Sequence, residues 1–247
     1  MKDFMDQFLR GASNQFETAK PIRLEVRSSR DQVHAVHWED EWPLARTSYR
    51  KLYLGEKGLH AESLDRESEV TYSGKRGSAE FDFEFAEDTE LSGFMNLRLW
   101  LEARPNDAGG DCPDAMIVCV TVDKIDRSGR SVRFNGTVGI SDDVVTRGYI
   151  RASRRELDPK RSTPWRFEYS GRSEQPLSLG EVVPVDLTLQ PSATFFLRGE
   201  RLRLVVASYE VCPSPVFTKD LGINSGTHVL HCGGNYDAHL SVPVIPT

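Results

Sequence analysis

From Pro21 onward this chain alternates apolar and polar residues with a period of two, over and over. Ile22, Leu24 and Val26 alternate with Arg23, Glu25 and Arg27, and Phe81, Phe83 and Phe85 alternate with Asp82 and Glu84. Leu97, Leu99 and Leu101 repeat the pattern, as do Met116, Val118, Val120 and Val122; Val183, Val185, Leu187 and Leu189; and Leu202, Leu204 and Val206. Successive side chains of a strand point to opposite faces, so each apolar set lies on one face and each polar set on the other. Turn-rich segments such as Arg127-Ser128-Gly129 and Pro105-Asn106-Asp107 separate these runs. The spacing predicts an antiparallel sandwich rather than βαβ units, and a jelly roll is the commonest way to close such a set.

One segment has a different period. In residues 1–14, Phe4, Met5, Phe8 and Leu9 make a single helical stripe, and Gly11 is placed to end it. A short lone helix must bury that stripe elsewhere, so it either folds back onto the sandwich or stays exposed as an adhesive patch. Two further stretches break the alternation and read as long connections: Ser141 through Asp158 to Trp165, and Val211 to Ser225. Loops of that length in a compact domain are usually functional or packed against something.

A chain of 247 residues can bury a sizeable core without covalent staples. Its net charge of −6 argues against a nucleic-acid binder, which needs clustered Lys and Arg to replace phosphate counterions. No apolar run is long enough to span a bilayer, and Asp3 and Asp6 near the N-terminus do not fit a secretory leader. Cys112, Cys119, Cys212 and Cys232 are irregularly spaced, with no C-x-x-C pair, which reads as free thiols in a cytoplasmic protein.

Three groups of residues carry candidate chemistry. His228, His231, Cys232, Asp237 and His239 offer metal-ligand types close together, yet on a strand His228 and His231 point to opposite faces unless the backbone bulges at Gly233-Gly234. The simpler reading is a set of histidines hydrogen-bonded between closing strands and a neighbouring loop. Arg151, Arg154, Arg155, Glu156, Asp158 and Arg161 form the densest mixed-charge cluster, fit either for clamping an anion or for fixing a long connection through ion pairs. Trp38, Trp42, Trp100 and Trp165, with Tyr49, Tyr53 and Tyr236, could stack on sugars, although such rings fill sandwich cores more often.

Several segments, in order, carry a family resemblance: FMDQFLRGASN (Phe4 to Asn14), KPIRLEVR (Lys20 to Arg27), EWPLARTSYRKLYL (Glu41 to Leu54), IRASRRELDPKRSTPW (Ile150 to Trp165), GEVVPVDLTLQPSATFFLRGERLRLVVAS (Gly180 to Ser208) and NSGTHVLHCGGNYDAHLSVPVIPT (Asn224 to Thr247). Together they resemble the C-terminal non-catalytic domain of the X-Pro dipeptidyl-peptidase and cocaine-esterase-like (CocE/NonD) serine hydrolases. The resemblance implies an all-β, jelly-roll β-sandwich of galactose-binding-like type over residues 21–247. Residues 1–20 would then be a helix and linker like the end of an α/β-hydrolase domain. It also implies a partner, an α/β-hydrolase catalytic domain in cis or in trans, which this domain supports and whose substrate pocket it helps to wall; a homo-oligomer is a further expectation.

No G-x-S-x-G turn occurs, since Ser141 is followed by Asp142 and Asp143 and Ser225 has Gly222 three positions back. No catalytic, cofactor-binding or metal-ligating residue is therefore assigned, and no cofactor, nucleic acid or membrane is expected. Where family members often place histidines after the S-T-P turn, this chain has Phe167-Glu168-Tyr169-Ser170. The alternative reading is a stand-alone carbohydrate- or ligand-binding β-sandwich module.

Overall fold

The computed structural model describes residues 2–106, 113, 115–136, 142–211 and 224–246. Asp107, Cys112, Ser141, Cys212 and most of the Val211 to Ser225 connection lie outside the described residues. Helix α1 (Lys2–Arg10) and a 3-10 turn (Gln15–Glu17) precede the strands. In chain order these are β1 (Ile22–Ser29), β2 (Gln32–Glu39), β3 (Ser48–Gly55), β4 (Gly58–His60), β5 (Ser68–Ser73), β6 (Ser78–Glu84), β7 (Thr89–Gly93) and β8 (Asn96–Arg104). Then follow β9 (Ile117–Ile125), β10 (Ser131–Val132), β11 (Thr146–Arg151), β12 (Val183–Thr188), β13 (Ser192–Phe196), β14 (Arg201–Ala207), β15 (Thr227–Cys232) and β16 (His239–Ile245).

The expected all-β sandwich is what forms, and the alternating runs singled out above fall on its strands, with Phe85, Met116 and Leu189 one residue beyond theirs. The larger sheet runs β2-β1-β13-β7-β16-β8-β15-β5, with β12 also on β8 and the β3-β4 pair on β16. The smaller runs β10-β9-β14-β6, with β11 sharing with β10 the edge of β9 opposite β14. The inner faces meet over Leu97, Leu99 and Leu101 of β8, Val118, Val120 and Val122 of β9, Phe81 of β6 and Leu202, Leu204 and Val206 of β14, all buried. Fully burying each such side chain contributes roughly 1.5–3 kcal/mol, so these rows are the bulk of what holds the layers together.

Strand β8 is the centre of the larger sheet. One edge pairs with β12 from Asn96↔Thr188 to Leu101↔Val183. The other edge is shared end to end: β16 takes Asn96 to Arg98, and β15 takes Trp100 to Arg104. Between those two strands the backbone loops outward through Gly233 and Gly234, both with positive φ. A Cβ at Gly233 would meet the Arg66 carbonyl oxygen at 2.2 Å, so only glycine fits the turn.

One expectation needs correction. The stretch from Ser141 to Trp165 is not all connection, because Thr146–Arg151 is a strand paired with β9 from Thr146↔Val122 to Arg151↔Ile117. Gly148 hides it in the sequence by interrupting the alternation, and a Cβ there would meet Leu189 Cδ2 at 2.8 Å.

The inner row of β9 ends on a charge. Lys124 follows Val118, Val120 and Val122 on the same face and is only 1% exposed. Its ammonium group spends its three hydrogens on the Ser28 carbonyl of β1 at 3.0 Å, the Phe195 carbonyl of β13 at 2.7 Å and the Glu200 carboxylate at 2.8 Å. Glu200 in turn accepts from the Leu197 amide at 2.7 Å. One side chain of the smaller sheet thus ties down two strands of the larger. Lys124→Met should lower the unfolding free energy by about 3–5 kcal/mol in urea titrations, since it strands Glu200 as a buried, unpaired carboxylate. The double variant Lys124→Met, Glu200→Leu should recover part of that loss.

Candidate functional site

The candidate site grows out of the outward row of β8. While Leu97, Leu99 and Leu101 face the core, Arg98, Trp100, Glu102 and Arg104 face the other way. The looped β15–β16 junction lays its polar residues across this row. The Trp100 indole N–H donates to Asp237 at 3.0 Å, and its ring meets Tyr236 edge-on at 5.5 Å. Tyr236 leans on His231, 4.9 Å between ring centres. His231 Nε2 is 2.9 Å from Glu102, and its Nδ1 is 3.6 Å from Glu69 of β5. Arg104 donates to both carboxylates, to Glu102 at 2.7 and 2.8 Å and to Glu69 at 3.0 Å. At the other end of the row, Arg98 forks onto Asp186 of β12 at 2.8 and 2.9 Å and lies 3.8 Å from Asp237. His239 Nδ1 is 2.5 Å from the Asp237 carbonyl.

The electrostatics follow from these contacts. The Arg104 guanidinium holds Glu102 and Glu69 below the usual carboxylate range, and they raise Arg104 in return. Glu69, Glu102 and His231 bring one donor atom each within 4.8 Å of one another, a set that could hold a cation. Arg104 already supplies the positive charge those carboxylates need, and the whole group forms a closed chain of pairs.

His228 is separate from all of this. It is on the core side of β15, fully buried, with its ring 5.1 Å from Tyr72 in edge contact. Neither ring nitrogen nor the Tyr72 hydroxyl has a hydrogen-bond partner. Burial pulls the imidazole down to about 4 and pushes the phenol up. Cys232 shares that face, and burial pushes its thiol up to about 12, with Cys119 at about 11, so both are protonated and unreactive at neutral pH. Of the five candidates grouped at the closing strands, then, His231, Asp237 and His239 join the outward row, while His228 and Cys232 are turned into the core.

The mixed-charge cluster resolves into ion pairs that fix a connection. Arg151 and Arg154 reach Glu174 at 3.1 and 3.2 Å, Arg155 donates to the Gln175 carbonyl at 2.7 Å, and Glu156 accepts from Ser170 and Ser173. Asp158 accepts from the Lys160 amide at 2.9 Å, and Arg161 lies 3.4 Å from Glu168. Among the aromatics, Trp165 stacks on Phe94 at 5.8 Å and Trp42 tilts against it at 6.2 Å. Trp38 is instead exposed, at 46%. Arg98, Glu102, Arg104, Glu69 and Asp186 were not singled out from the sequence; Trp100, alternating with the core leucines, was the only signal of their row.

With this geometry in view, comparison with known proteins is informative. The family model described as the X-Pro dipeptidyl-peptidase C-terminal non-catalytic domain matches residues 14–241. A CocE/NonD family hydrolase from Staphylococcus aureus superposes with a TM-score of 0.90 at 29% identity, over 99% of this chain and 45% of its own. An aminopeptidase from a marine sediment archaeon, Thaumarchaeota archaeon, matches at 0.68 and 14% identity, over 100% of this chain and 44% of its own. An α-amino acid ester hydrolase matches at 0.67 and 13%, over 98% and 43%. The last two share the fold. The chain thus spans under half the length of these relatives. No curated protein matches this sequence.

The buried His228 makes stability depend on pH. Its folded-state value near 4 lies below the ordinary 6.5, so between those values the unfolded chain binds the proton that the folded chain refuses. The contribution is fully present above pH 6.5 and falls by about 3 kcal/mol as the pH drops to 4. Urea midpoints measured across that window should show the loss. His228→Leu should flatten the dependence and, by removing two unpaired buried nitrogens, raise the midpoint.

Proposed function

The chain belongs to the family of X-Pro dipeptidyl-peptidase C-terminal non-catalytic domains, and on that premise we propose that it is the supporting β-sandwich of a serine acyl hydrolase. In this reading it packs, in cis or in trans, against an α/β-hydrolase catalytic domain and helps to wall that domain's substrate pocket. Residues 1–20 belong with the partner domain, and 21–247 form the sandwich. The family match begins at residue 14, beyond α1, which supports setting the helix apart from the sandwich.

One observation carries the reading. Helix α1 has an amphipathic sequence but no buried residue: Phe4 and Met5 are each 45% exposed, Phe8 62% and Leu9 77%. A stripe of that size left open to water is the mark of a surface that something covers. The histidines of the described residues support a structural rather than catalytic role. His231 is engaged by Glu102, His239 by the Asp237 carbonyl, His37 by Glu90 at 3.1 Å and His34 by the Phe195 ring, stacked at 3.5 Å. No hydrogen bond joins any of them to a serine among the described residues. The outward row of β8 is likewise read as structural, with Arg104 in place of a metal.

The alternative, a free-standing carbohydrate-binding module, is not favoured: Trp100, the ring most suggestive of it, is tied by its N–H to Asp237 and crossed edge-on by Tyr236, which closes it as a stacking platform. Cytoplasmic residence and a galactose-binding-like classification of the sandwich belong to the same proposal; the free thiols of Cys119 and Cys232 support the first and the two-sheet jelly roll the second. No helix of the described residues is long and apolar enough to cross a membrane.

A serine hydrolase needs nucleophile, base and oxyanion donors acting as one unit. The isolated chain should therefore take up no fluorophosphonate probe, as read by intact-mass spectrometry. Stoichiometric labelling of any serine would mean that the domain carries its own active centre and that the supporting role is wrong.

A further inference from the structure

Beyond α1 the molecule exposes a second apolar surface, on the hairpin formed by β1 and β2. Strand β2 is at the edge of the larger sheet, paired with β1 from Ile22↔Glu39 to Ser29↔Gln32 and without a second strand partner among the described residues. Strand β1 has a short parallel ladder to its inner neighbour, β13, with the register position Arg27↔Thr194. The hairpin is instead held on the sheet by side chains, His34 stacking on Phe195 of β13 and His37 bonding Glu90 of β7. On its outward face Val36 and Trp38 lie side by side, 41% and 46% exposed, opposite Glu25 and Arg23. Edge strands that stay open usually carry charges that discourage pairing. Here the tip of the free strand carries the largest apolar side chain available.

This face runs into α1 without a break. Phe4 packs on Phe8 at 4.6 Å and on Phe16 at 5.8 Å. Phe16 and Trp38 both line one mostly apolar cleft of about 350 Å³, together with Gln15, Thr18, Ala19 and Lys20. Leu9, Phe8, Phe4, Phe16, Trp38 and Val36 thus form one strip that crosses from the helix to the sheet edge.

We propose that this strip is a single docking surface, with Trp38 as its anchor, and that its occupant is the catalytic domain of a hydrolase. The inference rests on the reading given under Proposed function and says where on the sandwich that partner sits. The occupant is argued from two observations. The S. aureus hydrolase matches 99% of this chain, so the helix and the hairpin both have counterparts in a protein more than twice as long. The family match begins at residue 14, so α1 lies outside the matched domain. A tryptophan beside a cleft, ringed by Arg23, Glu25 and Lys20, also has the anatomy of an interface centre: an aromatic anchor with a polar rim.

Co-expression of this full chain with the portion of the S. aureus hydrolase that lies outside the matched region tests the idea, using a tag on the hydrolase portion only. Wild-type chain should co-purify with it. Trp38→Asp and Phe8→Asp should each reduce recovery at least tenfold, while Tyr149→Asp, an exposed aromatic on β11 of the other sheet, should leave it unchanged; circular dichroism checks that all four are folded. Co-purification that survives Trp38→Asp and Phe8→Asp but is lost with Tyr149→Asp would overturn the location and leave the supporting role standing. No co-purification of the wild type would overturn both. Sedimentation showing a dimer abolished by Trp38→Asp, and unaffected by the hydrolase portion, would make a second copy of this chain the occupant and overturn the inference.

Discussion

A buried lysine with three partners sets the geometry on which the rest of the sandwich depends. The apolar rows of two sheets attract each other without direction, and nothing in that attraction says how far one layer slides over the other. Lys124 does say so. Its ammonium group must find three acceptors at once in a dry interior, and they come from β1, from β13 and from Glu200, the residue before β14. Burial lowers its pKa while the Glu200 carboxylate pushes it back up. The hairpin of β1 and β2, which has little ladder of its own to the sheet, is held through the Ser28 carbonyl by that lysine.

The same logic explains the outward row of β8. Alternation requires that a central strand with three leucines toward the core present its other residues away from it, and here those are Arg98, Trp100, Glu102 and Arg104. Each of them is matched: Arg98 by Asp186, Trp100 by Asp237, Glu102 by His231 and Arg104 by two carboxylates. A row so fully paired orients the loop between β15 and β16 and has little capacity left for a substrate. Networks of this kind specify one arrangement more than they add stability.

How much of this was legible in the sequence depends on which residues carried the signal. Period-2 alternation made β1, β6, β8, β9, β12 and β14 readable, because each keeps leucine, valine, isoleucine or phenylalanine on one face without interruption. Strand β11 was missed where Gly148 replaces a core side chain and yields to Leu189. Edge and rim strands such as β2 and β3 are hard to see for a related reason: mostly exposed, they have no continuous apolar face to show. The histidines at the closing strands were readable as a group and correctly split between two faces, but their partners were not. Glu102 lies 129 positions from His231, and no local pattern announces a contact at that range.

That distance has a consequence for the order in which the molecule can be made. The middle of the larger sheet is β8, yet the edge of β8 from Trp100 to Arg104 is covered only by β15, and that from Asn96 to Arg98 only by β16. A chain emerging from the ribosome therefore holds β8 without any strand partner until β12 is made, and half-paired until β15 and β16 follow. Contacts so remote in sequence close slowly, because the loop entropy is lost before the pairing repays it. Throughout that interval the nascent sandwich offers an open seam at its centre, and a chaperone that recognises extended apolar segments has its natural substrate there.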